Sequence, residues 1–413
     1  MSIGRGAIFE KNRYTGLMPD VSNIPFKARI EGIAAGGAGL AKVGGKSVFI
    51  EGGIPGETVL CRMTEERHSW AQAEPLEILE ASPDRVLPVC GFYGACGGCG
   101  LQHMSYPAQL AAKTAIVKDA FARVGGFAPP EPKVFPSEPW EYRNRMQFHA
   151  IRRFDKNRPD VFCGLKARKS AEIVPVSDCP VADPGIRGLL SDKGAEAKGF
   201  LVSPGKDRVT VYARDGLLLS EGAVARGRTR VLDRELVLDA GVFFQSNGAM
   251  LEKLVLDLRE IVADLTEAAA SMPMADLYCG VGTLAAFLGG PFPRVDMVEE
   301  NKAALALARE NLAPLGPVNF YARRIENWTK TADLRGYGFV VADPPRQGLD
   351  PALTRGLAKN GPRVLAYVSC DPATLARDSK TLLAAYDLAE LRWYDFYPQT
   401  AHIESLALFV RRG

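Results

Sequence analysis

Three of the eight cysteines in this 413-residue chain have a spacing that is typical of metal ligands. Cys90, Cys96 and Cys99 form the pattern C-x5-C-x2-C in a glycine-rich stretch, where the backbone can wrap closely around a bound group and point amides at its sulfurs. Cys179, which precedes a proline, is the best candidate for a fourth ligand. Four thiolates can hold a zinc ion or a [4Fe-4S] cluster, and the uneven spacing favours the cluster.

A second group of residues predicts a nucleotide site. The run Asp276-Leu-Tyr-Cys-Gly-Val-Gly-Thr283 reads as a strand that leads into a glycine loop, where a nucleotide can approach the backbone. Glu299, nineteen residues after Gly280, ends the next predicted strand, and its carboxylate can accept ribose hydroxyls there. The sequence lacks both the phosphate-binding G-x-x-x-x-G-K-S/T pattern and the third glycine of a dinucleotide loop. S-adenosylmethionine (SAM) is therefore favoured over ATP or NAD.

Asp343 and Cys370 each stand at the predicted carboxyl end of a sheet strand. Asp343-Pro-Pro-Arg346 is typical of enzymes that hold a flipped-out base beside a methyl donor, although Asp343 is otherwise an ordinary turn residue. Cys370 precedes a helix predicted from about Ala373, and amides at a helix start favour a thiolate. A lone cysteine is usually an inert core thiol, but this position beside the active-site crevice favours a nucleophile.

Glu404 lies in the segment Ala401–Ser405, which we expect to be a loop before the last apolar strand. Its carboxylate is either a solvated turn residue or a proton acceptor. A thiolate and a carboxylate together fit one reaction. Uracil carbon 5 is a poor nucleophile, so a thiolate that adds to carbon 6 raises its electron density, and a base then removes the carbon 5 hydrogen after methyl transfer.

Five ordered motifs closely resemble those of the RNA 5-methyluridine methyltransferases: FFQSNGAM (residues 243–250), DLYCGVGT, DPPRQG, SCDP and HIES. The resemblance covers almost the whole chain, including a barrel that is similar to the RNA-binding TRAM domain. Family members with both a barrel and a C-x5-C-x2-C pattern typically methylate large-subunit ribosomal RNA, whereas the bacterial tRNA thymine-loop enzymes usually lack both. The resemblance thus implies SAM-dependent methylation of a uridine carbon 5 in 23S ribosomal RNA, with a tRNA target as the alternative.

The resemblance also implies roles for single residues. Cys370 would be the nucleophile, Glu404 the base that takes the carbon 5 proton, and Arg346 a residue that positions the target base or its phosphate. The residues expected to contact SAM are Gln245, Tyr278, Thr283, Glu299 and Asp343. The ligands of a structural or RNA-positioning [4Fe-4S] cluster would be Cys90, Cys96, Cys99 and Cys179. Arg324 departs from the polar or acidic residue of relatives, so no contact is assigned to it.

Hydrophobic patterning divides the chain into a tail and three domains that position these residues. Residues 1–25 lack periodicity, and residues 26–83 alternate short strands with glycine turns, as in a small OB-like barrel. Residues 84–240 mix cysteines, arginines and short strands, with a helix over 106–124 that could pack on the catalytic domain. Residues 241–413 alternate strands and helices, which predicts an α/β, doubly wound sheet. The resemblance implies that this is a class I SAM-dependent methyltransferase domain. The central domain is expected to be an α+β iron–sulfur domain.

The strands predicted for the last domain are residues 275–278, 294–299, 339–343, 363–369 and 405–410, after a helix over 245–265. Their ligand should bind at the carboxyl ends of the strands. Cys61 and Cys163 are expected to fill core positions.

A local excess of basic residues is consistent with the RNA partner that the resemblance implies. The net charge is only +3, but residues 143–169 carry nine basic against two acidic residues, interleaved with aromatic side chains. That pattern suits phosphate contacts and base stacking, and a solvated strand face is the equally weighted alternative. Without a signal peptide or an apolar span, a cytoplasmic monomer with no membrane or protein partner is expected.

Three rival functions are weighed against the main hypothesis. An amino-group methyltransferase would use DPPR in place of a D-P-P-Tyr motif and needs no cysteine nucleophile. A radical SAM methylthiotransferase also combines a TRAM barrel with a cluster, but its usual C-x3-C-x2-C pattern does not occur in the sequence. A non-catalytic RNA-binding iron–sulfur protein would bind RNA without releasing the carbon 5 hydrogen.

Overall fold

The computed structural model describes residues 24–155, 158–191 and 207–413. The predicted tail over 1–25 lies almost entirely outside these ranges, and so do Lys156 and the side chains of residues 150–162 in the predicted basic stretch. Contacts divide the chain into two compact units, with the border between Pro83 and Asp84 and with residues 35–37 joined to the second unit. No helix in the described ranges is long and apolar enough to span a lipid bilayer.

The first unit contains a closed five-stranded barrel. Its strands are β1 (Phe26–Ile33), β2 (Gly39–Val43), β3 (Lys46–Ile50), β4 (Thr58–Glu66) and β5 (Trp70–Glu80). They follow the order β1-β2-β3-β5-β4, and pairing of β1 with β4 closes the barrel. Ile30, Val48 and Cys61 are among the alternate side chains that fill its core. The small barrel is thus confirmed. Its strand β2 contains Gly39 and Ala41, which have low strand propensity.

The second unit begins with a helix and an antiparallel sheet. Its first elements are α1 (Tyr106–Ala120), β6 (Lys133–Phe135), β7 (Arg145–Asp155), β8 (Arg158–Lys166), β9 (Ile173–Pro175), α2 (Pro184–Leu190), β10 (Arg208–Arg214), β11 (Leu217–Ser220), β12 (Arg226–Val231) and β13 (Arg234–Asp239). The hydroxyl of Ser105 caps α1, which continues as a π-helical turn over Phe121–Gly125. Five strands form the sheet β11-β10-β7-β8-β9, while β12 and β13 form a separate hairpin.

The remaining elements alternate between helices and strands. They are α3 (Gly248–Ala263), α4 (Glu267–Ala270), β14 (Met274–Leu277), α5 (Thr283–Leu288), β15 (Val295–Glu299), α6 (Lys302–Asn311), β16 (Val318–Ala322), α7 (Ile325–Trp328), β17 (Phe339–Ala342), α8 (Pro351–Asn360), β18 (Val364–Ser369), α9 (Pro372–Leu382), β19 (Tyr386–Tyr394) and β20 (Glu404–Arg411). The helices cover the sheet and bury β14, β17 and β18 completely.

These strands form one eight-stranded sheet in the order β16-β15-β14-β17-β18-β20-β19-β6. The run from β16 to β18 is parallel, and β20 lies antiparallel between β18 and β19. The strand order reverses at β14, which is where a doubly wound sheet opens a ligand crevice. The doubly wound fold is therefore confirmed. Strands β16, β19 and β6 escaped prediction because their partly exposed sequences lack a continuous apolar run.

Candidate active site

A cavity of about 1290 Å³ lies at the carboxyl ends of β14, β15, β17 and β18. It is lined by every residue predicted to contact SAM, to hold the target base or to react: Gln245, Tyr278, Thr283, Glu299, Asp343, Arg346, Cys370 and Glu404. These residues are far apart in sequence. Those that follow β14, β15, β17 and β18 meet because neighbouring parallel strands end at the same edge of the sheet, and the antiparallel β20 begins at that edge with Glu404.

The loop after β14 has an unusual backbone that opens it to a ligand. Tyr278 (φ 62°), Gly280 (φ 54°) and Gly282 (φ 79°) all lie in the left-handed region. A Cβ at Gly282 would lie only 2.4 Å from Cδ1 of Leu312, so this position requires glycine, while the space beside Gly280 is open. Tyr278 adopts a strained conformation for a residue with a side chain, and such strain is typical of ligand clamps.

Carboxyl groups surround this loop. The amide nitrogens of Gly280 and Asn301 donate to Oε2 and Oε1 of Glu299 at 3.1 and 2.8 Å, and each oxygen keeps a lone pair for a ribose hydroxyl. Burial, together with Asp343 and Glu299, raises the pKa of Asp276 to about 8. Burial also raises the pKa of Asp343 to about 7. A cationic ligand would stabilise the charged forms of these acids, so the cavity favours a cation.

Cys370 and Glu404 occupy adjoining positions at the end of one strand pair. Ser369 of β18 pairs with Ser405 of the antiparallel strand β20. Cys370 follows Ser369 and Glu404 precedes Ser405, so the two residues are neighbours at the end of this strand pair that borders the cavity. Glu404 is the first residue of β20 and only 4% exposed, and its Oε1 has no hydrogen-bond partner among the described residues. The expectation that Glu404 lies in a loop is wrong, and burial excludes a solvated turn residue.

The surroundings of Cys370 and Glu404 favour the protonated form of both groups. Burial raises the pKa of Cys370 to about 12, with Glu404 and Asp343 raising it as well and Arg346 opposing them. Burial and the nearby Asp343 raise the pKa of Glu404 well above its usual range, again against Arg346. A carboxyl group in this environment is a strong proton acceptor once it is ionised.

The start of α9 does not favour a thiolate at Cys370, contrary to the expectation from sequence. The amide nitrogens of Ala373 and Thr374 both donate to Oδ1 of Asp371 at 2.9 Å. Asp371 therefore caps the helix, and its carboxylate accepts the hydrogen bonds of amides that would otherwise stabilise a thiolate. Desolvation and neighbouring carboxyl groups then determine the pKa of this thiol.

Sequence reasoning missed three residues that line the cavity: Arg143, Tyr397 and His402. Arg346 Nη2 lies 3.4 Å from both ring nitrogens of His402, and the Arg143 guanidinium lies 6.0 Å from the centre of the Tyr397 ring. Desolvation and these two arginines lower the pKa of His402 to about 4, so its ring is neutral near pH 7. Its place in the HIES motif, two residues before Glu404, was the available signal.

Glu300, Arg324 and Glu326 also line the cavity. Sequence reasoning missed the two glutamates and assigned no contact to Arg324. Arg324 Nε lies 3.4 Å from Oε2 of Glu326 and 3.8 Å from Oε2 of Glu300. Burial and then Glu326 raise the pKa of the Tyr278 hydroxyl. Glu326 could have been recognised as an acidic residue soon after a strand. It was missed because that strand, β16, was not predicted.

The four cysteines expected to bind a cluster are free thiols in one neighbourhood of the second unit. Burial, with the nearby Cys99 and Cys90, raises the pKa of Cys179 to about 12. The amide of Gly98 donates to Sγ of Cys96 at 3.4 Å. Among residues 24–155, 158–191 and 207–413, no group of three or more His, Cys, Asp or Glu side chains is arranged to hold a metal ion. The thiols therefore lie near one another without forming a ligand shell around one ion.

Comparison with known proteins identifies relatives of the whole chain. The family described as tRNA (Uracil-5-)-methyltransferase matches residues 321–412. The 23S rRNA (uracil(1939)-C(5))-methyltransferase RlmD of Nitrosococcus oceani is 31% identical over 435 residues, covering 94% of this chain and 97% of the relative. The enzyme of the same name from Vibrio cholerae is 30% identical, covering 93% of this chain and 95% of the relative.

A solved structure has the same fold. The crystal structure of the Pyrococcus abyssi tRNA (uracil-54, C5)-methyltransferase in complex with S-adenosyl-L-homocysteine is similar with a TM-score of 0.70 and 23% sequence identity. The similarity covers 93% of this chain and 100% of that chain, and it confirms the SAM-dependent methyltransferase fold. Because relatives with at least 30% identity extend over nearly the full length, the chain belongs to the RNA (uracil-C5)-methyltransferase family.

Proposed function

We propose that this protein transfers a methyl group from SAM to carbon 5 of a uridine in RNA, and that its RNA is 23S ribosomal RNA. The observation that carries the proposal is the placement of Cys370 and Glu404 at adjoining positions of the cavity that also contains the glycine loop. A thiol, a carboxyl group and a methyl-donor site in one cavity are what methylation of an unactivated pyrimidine carbon requires.

The donor side of the cavity fits SAM. Glu299 would accept the ribose hydroxyls, and Gln245 and Tyr278, with Thr283 at the start of α5, would contact the rest of the molecule. Asp343, between the glycine loop and Cys370, would face the positively charged part of SAM. When bound, SAM supplies an electrophilic methyl group on a sulfonium. The acidic groups of the cavity would bind this cation because it offsets their mutual repulsion.

Cys370 and Glu404 would carry out the remaining chemistry. The Cys370 thiolate adds to carbon 6 of the uracil, forming an Sγ–C6 bond and moving the double-bond electrons toward carbon 5. Carbon 5 would then take the methyl group as the bond from the methyl carbon to the sulfonium sulfur breaks, and neutral S-adenosylhomocysteine would be left. The Glu404 carboxylate removes the proton from carbon 5, and the electrons of the broken C–H bond re-form the double bond and expel Cys370 as a thiolate. Arg346 would hold the uracil or its phosphate.

The raised pKa values imply that donor binding depends on pH. Asp343, whose pKa is about 7, is protonated and neutral below that pH and charged above it. Only the charged form attracts a sulfonium, so we expect the affinity for SAM to fall up to about tenfold between pH 8 and pH 6, as the ionised fraction falls from about 0.9 to about 0.1. Isothermal titration calorimetry at both pH values measures this change.

The matched ligand for this test is S-adenosylhomocysteine, whose sulfur is uncharged. Its affinity should change much less over the same pH range, and Asp343→Asn should remove most of the pH dependence for SAM. Equal pH dependence for the two ligands would show that Asp343 does not face the sulfonium.

For the target RNA, the relatives named RlmD favour 23S ribosomal RNA, because they match over more than nine-tenths of the chain. Transfer RNA is the second candidate, since the matching family and the similar solved structure are both named for it. Tritium release from RNA labelled at uridine carbon 5 decides between them. Release from 23S RNA transcripts but not from tRNA is expected, and the reverse would assign the protein to tRNA.

We further propose that Cys90, Cys96, Cys99 and Cys179 bind a [4Fe-4S] cluster. Four free thiols fit its ligand chemistry. Burial raises the pKa of Cys96, and Arg143 and Arg168 lie close enough to oppose that rise and to offset part of the negative charge of thiolates.

Metal analysis tests the cluster. Protein purified without oxygen should contain about four iron and about four sulfide per chain and be brown. Cys179→Ala should lower the iron content strongly, whereas Cys163→Ala, which removes another buried thiol of the same core, should not. Stoichiometric zinc without iron would overturn the proposal.

We propose that the barrel is a TRAM-like RNA-binding domain. Phe49 and Trp70 lie with ring centres 6.3 Å apart beside a shallow pocket that is also lined by Ser47, Ser69 and Gln72. Aromatic rings beside polar groups suit the stacking of an unpaired base.

A further inference from the structure

The chain between β19 and β20 carries residues of the candidate active site in a strained conformation. Residues 396–402, named here the active-site segment, bring Tyr397 and His402 into the cavity and lead directly to Glu404. Within the segment, Gln399 has a φ of 67°, in the left-handed region that residues with a side chain rarely adopt. Such a conformation persists only where the surrounding structure holds it in place.

Four consecutive carbonyl oxygens of the segment accept hydrogen bonds from elsewhere in the second unit. The donors are Asn247 Nδ2 to Phe396 at 3.2 Å, Lys113 Nζ to Tyr397 at 3.0 Å, Tyr142 Oη to Pro398 at 2.9 Å, and the amides of Gly100 and Leu101 to Gln399, both at 2.9 Å. All these donors except Asn247 lie before the catalytic domain in sequence. The central region therefore holds the backbone of the active-site segment.

Gln109 of α1 makes the most specific of these contacts. Its Nε2 donates to Oε1 of Gln399 at 3.0 Å, and its Oε1 accepts from the Gln399 amide nitrogen at 3.0 Å. Nε2 of Gln109 also lies 3.1 Å from the Leu101 carbonyl and 3.0 Å from the Met104 carbonyl. Both glutamines are almost completely buried. Gln109 thus joins the active-site segment to the chain that follows residues 90–99, named here the cysteine loop.

A buried ion pair fixes the other end of the segment. Lys113, one turn further along α1, lies 2.5 Å from Oδ1 of Asp395, and both side chains are fully buried. Buried ion pairs add little net stability because of the desolvation cost, and they are best understood as fixing one arrangement against others. Asp395 directly follows β19, so Lys113 holds the start of the segment while Gln109 holds its middle.

We propose that residues 100–113 act as a clamp that positions the active-site segment, and that Gln109 and Gln399 are positioning residues for Glu404 and His402. The inference rests on the proposed function, because it concerns the carboxylate that removes the proton. Gly100 and Leu101 directly follow Cys99, so the clamp also connects the cysteine loop to the active site.

Gln109→Ala in the full-length protein tests the clamp. Loss of both contacts to Gln399 should lower the turnover number roughly 10- to 100-fold, the effect of a small misplacement of a reacting group, with the KM for SAM unchanged. Because proton removal is the step affected, the methylated covalent adduct between Cys370 and RNA should accumulate and be visible on a denaturing gel. Gln399→Ala should also lower the turnover number. In the double variant, the fold decrease in turnover should be smaller than the product of the two single decreases.

Two controls separate this inference from its alternatives. Thr114→Ala alters the same helix where it contacts Trp393, away from the segment, and should leave turnover and adduct near wild-type levels. Wild-type turnover in Gln109→Ala would overturn the clamp. It would also be overturned if Gln109→Ala and Thr114→Ala both lost turnover and neither accumulated the adduct. If Gln109→Ala does not fold, Gln399→Ala decides by the same two outcomes. Failure of the wild-type protein to release tritium from RNA labelled at uridine carbon 5 would instead contradict the proposed function itself.

Discussion

Replacing Cys370 with alanine is expected to reduce methyl transfer to RNA to no more than about one ten-thousandth of the wild-type rate. Without the thiol no bond forms at carbon 6, and carbon 5 stays too poor in electrons to take a methyl group. Incorporation of tritium from methyl-labelled SAM into 23S RNA transcripts measures the loss.

The control for this prediction is Cys61→Ala, which removes a fully buried thiol from the barrel core and should leave methylation largely intact. The affinity of Cys370→Ala for S-adenosylhomocysteine should also be close to that of the wild type, because Cys370 belongs to the reacting side of the cavity. Methylation by Cys370→Ala within about tenfold of the wild-type rate would contradict the covalent mechanism. It would favour an amino-group methyltransferase, which needs no nucleophile.

Glu404→Gln is expected to slow turnover by roughly 10²- to 10⁴-fold and to trap the reaction after methyl transfer. The amide has the size of the carboxylate but cannot accept the proton from carbon 5. Cys370 then cannot be expelled, so RNA carrying the labelled methyl group should remain bound to the protein in denaturant. A denaturing gel with tritium detection measures this adduct.

The matched control is the double variant Cys370→Ala/Glu404→Gln, which should form no adduct because it lacks the nucleophile. If Glu404→Gln turned over at the wild-type rate, another group would have to be the base, and Asp343 would be the first to test. Asp343 is the other buried carboxyl group that raises the pKa of Cys370, and its own pKa is about 7.

The residues predicted from sequence are those that stand in short contiguous motifs. Tyr278, Asp343 and Cys370 each follow an apolar run that could be recognised as a buried parallel strand. A residue at the end of such a strand has its position determined locally, because the carboxyl edge of the sheet is where ligands bind. Strand-end positions alone therefore suffice to assign residues from separate motifs to one cavity.

Residues missed by sequence reasoning are those whose surroundings come from distant parts of the chain. Arg143 lies in a basic stretch that predicted RNA contacts in general, and only the fold places it beside Tyr397. Glu326 follows an exposed edge strand that carries no clear pattern. Gln109 and Gln399 are separated by 290 positions, and a buried glutamine has no motif to identify it.

The sequence by itself determined the doubly wound fold, the barrel, and the strand-end residues that line the cavity, because apolar strand runs and strand-end motifs are local properties of the chain. Only the tertiary structure decided the protonation of Cys370 and Glu404. The helix start next to Cys370 predicted a thiolate, but Asp371 takes the amides of that helix and burial raises the pKa to about 12. A pKa depends on desolvation and on charges from other strands, and these are set only when β17, β18 and β20 come together.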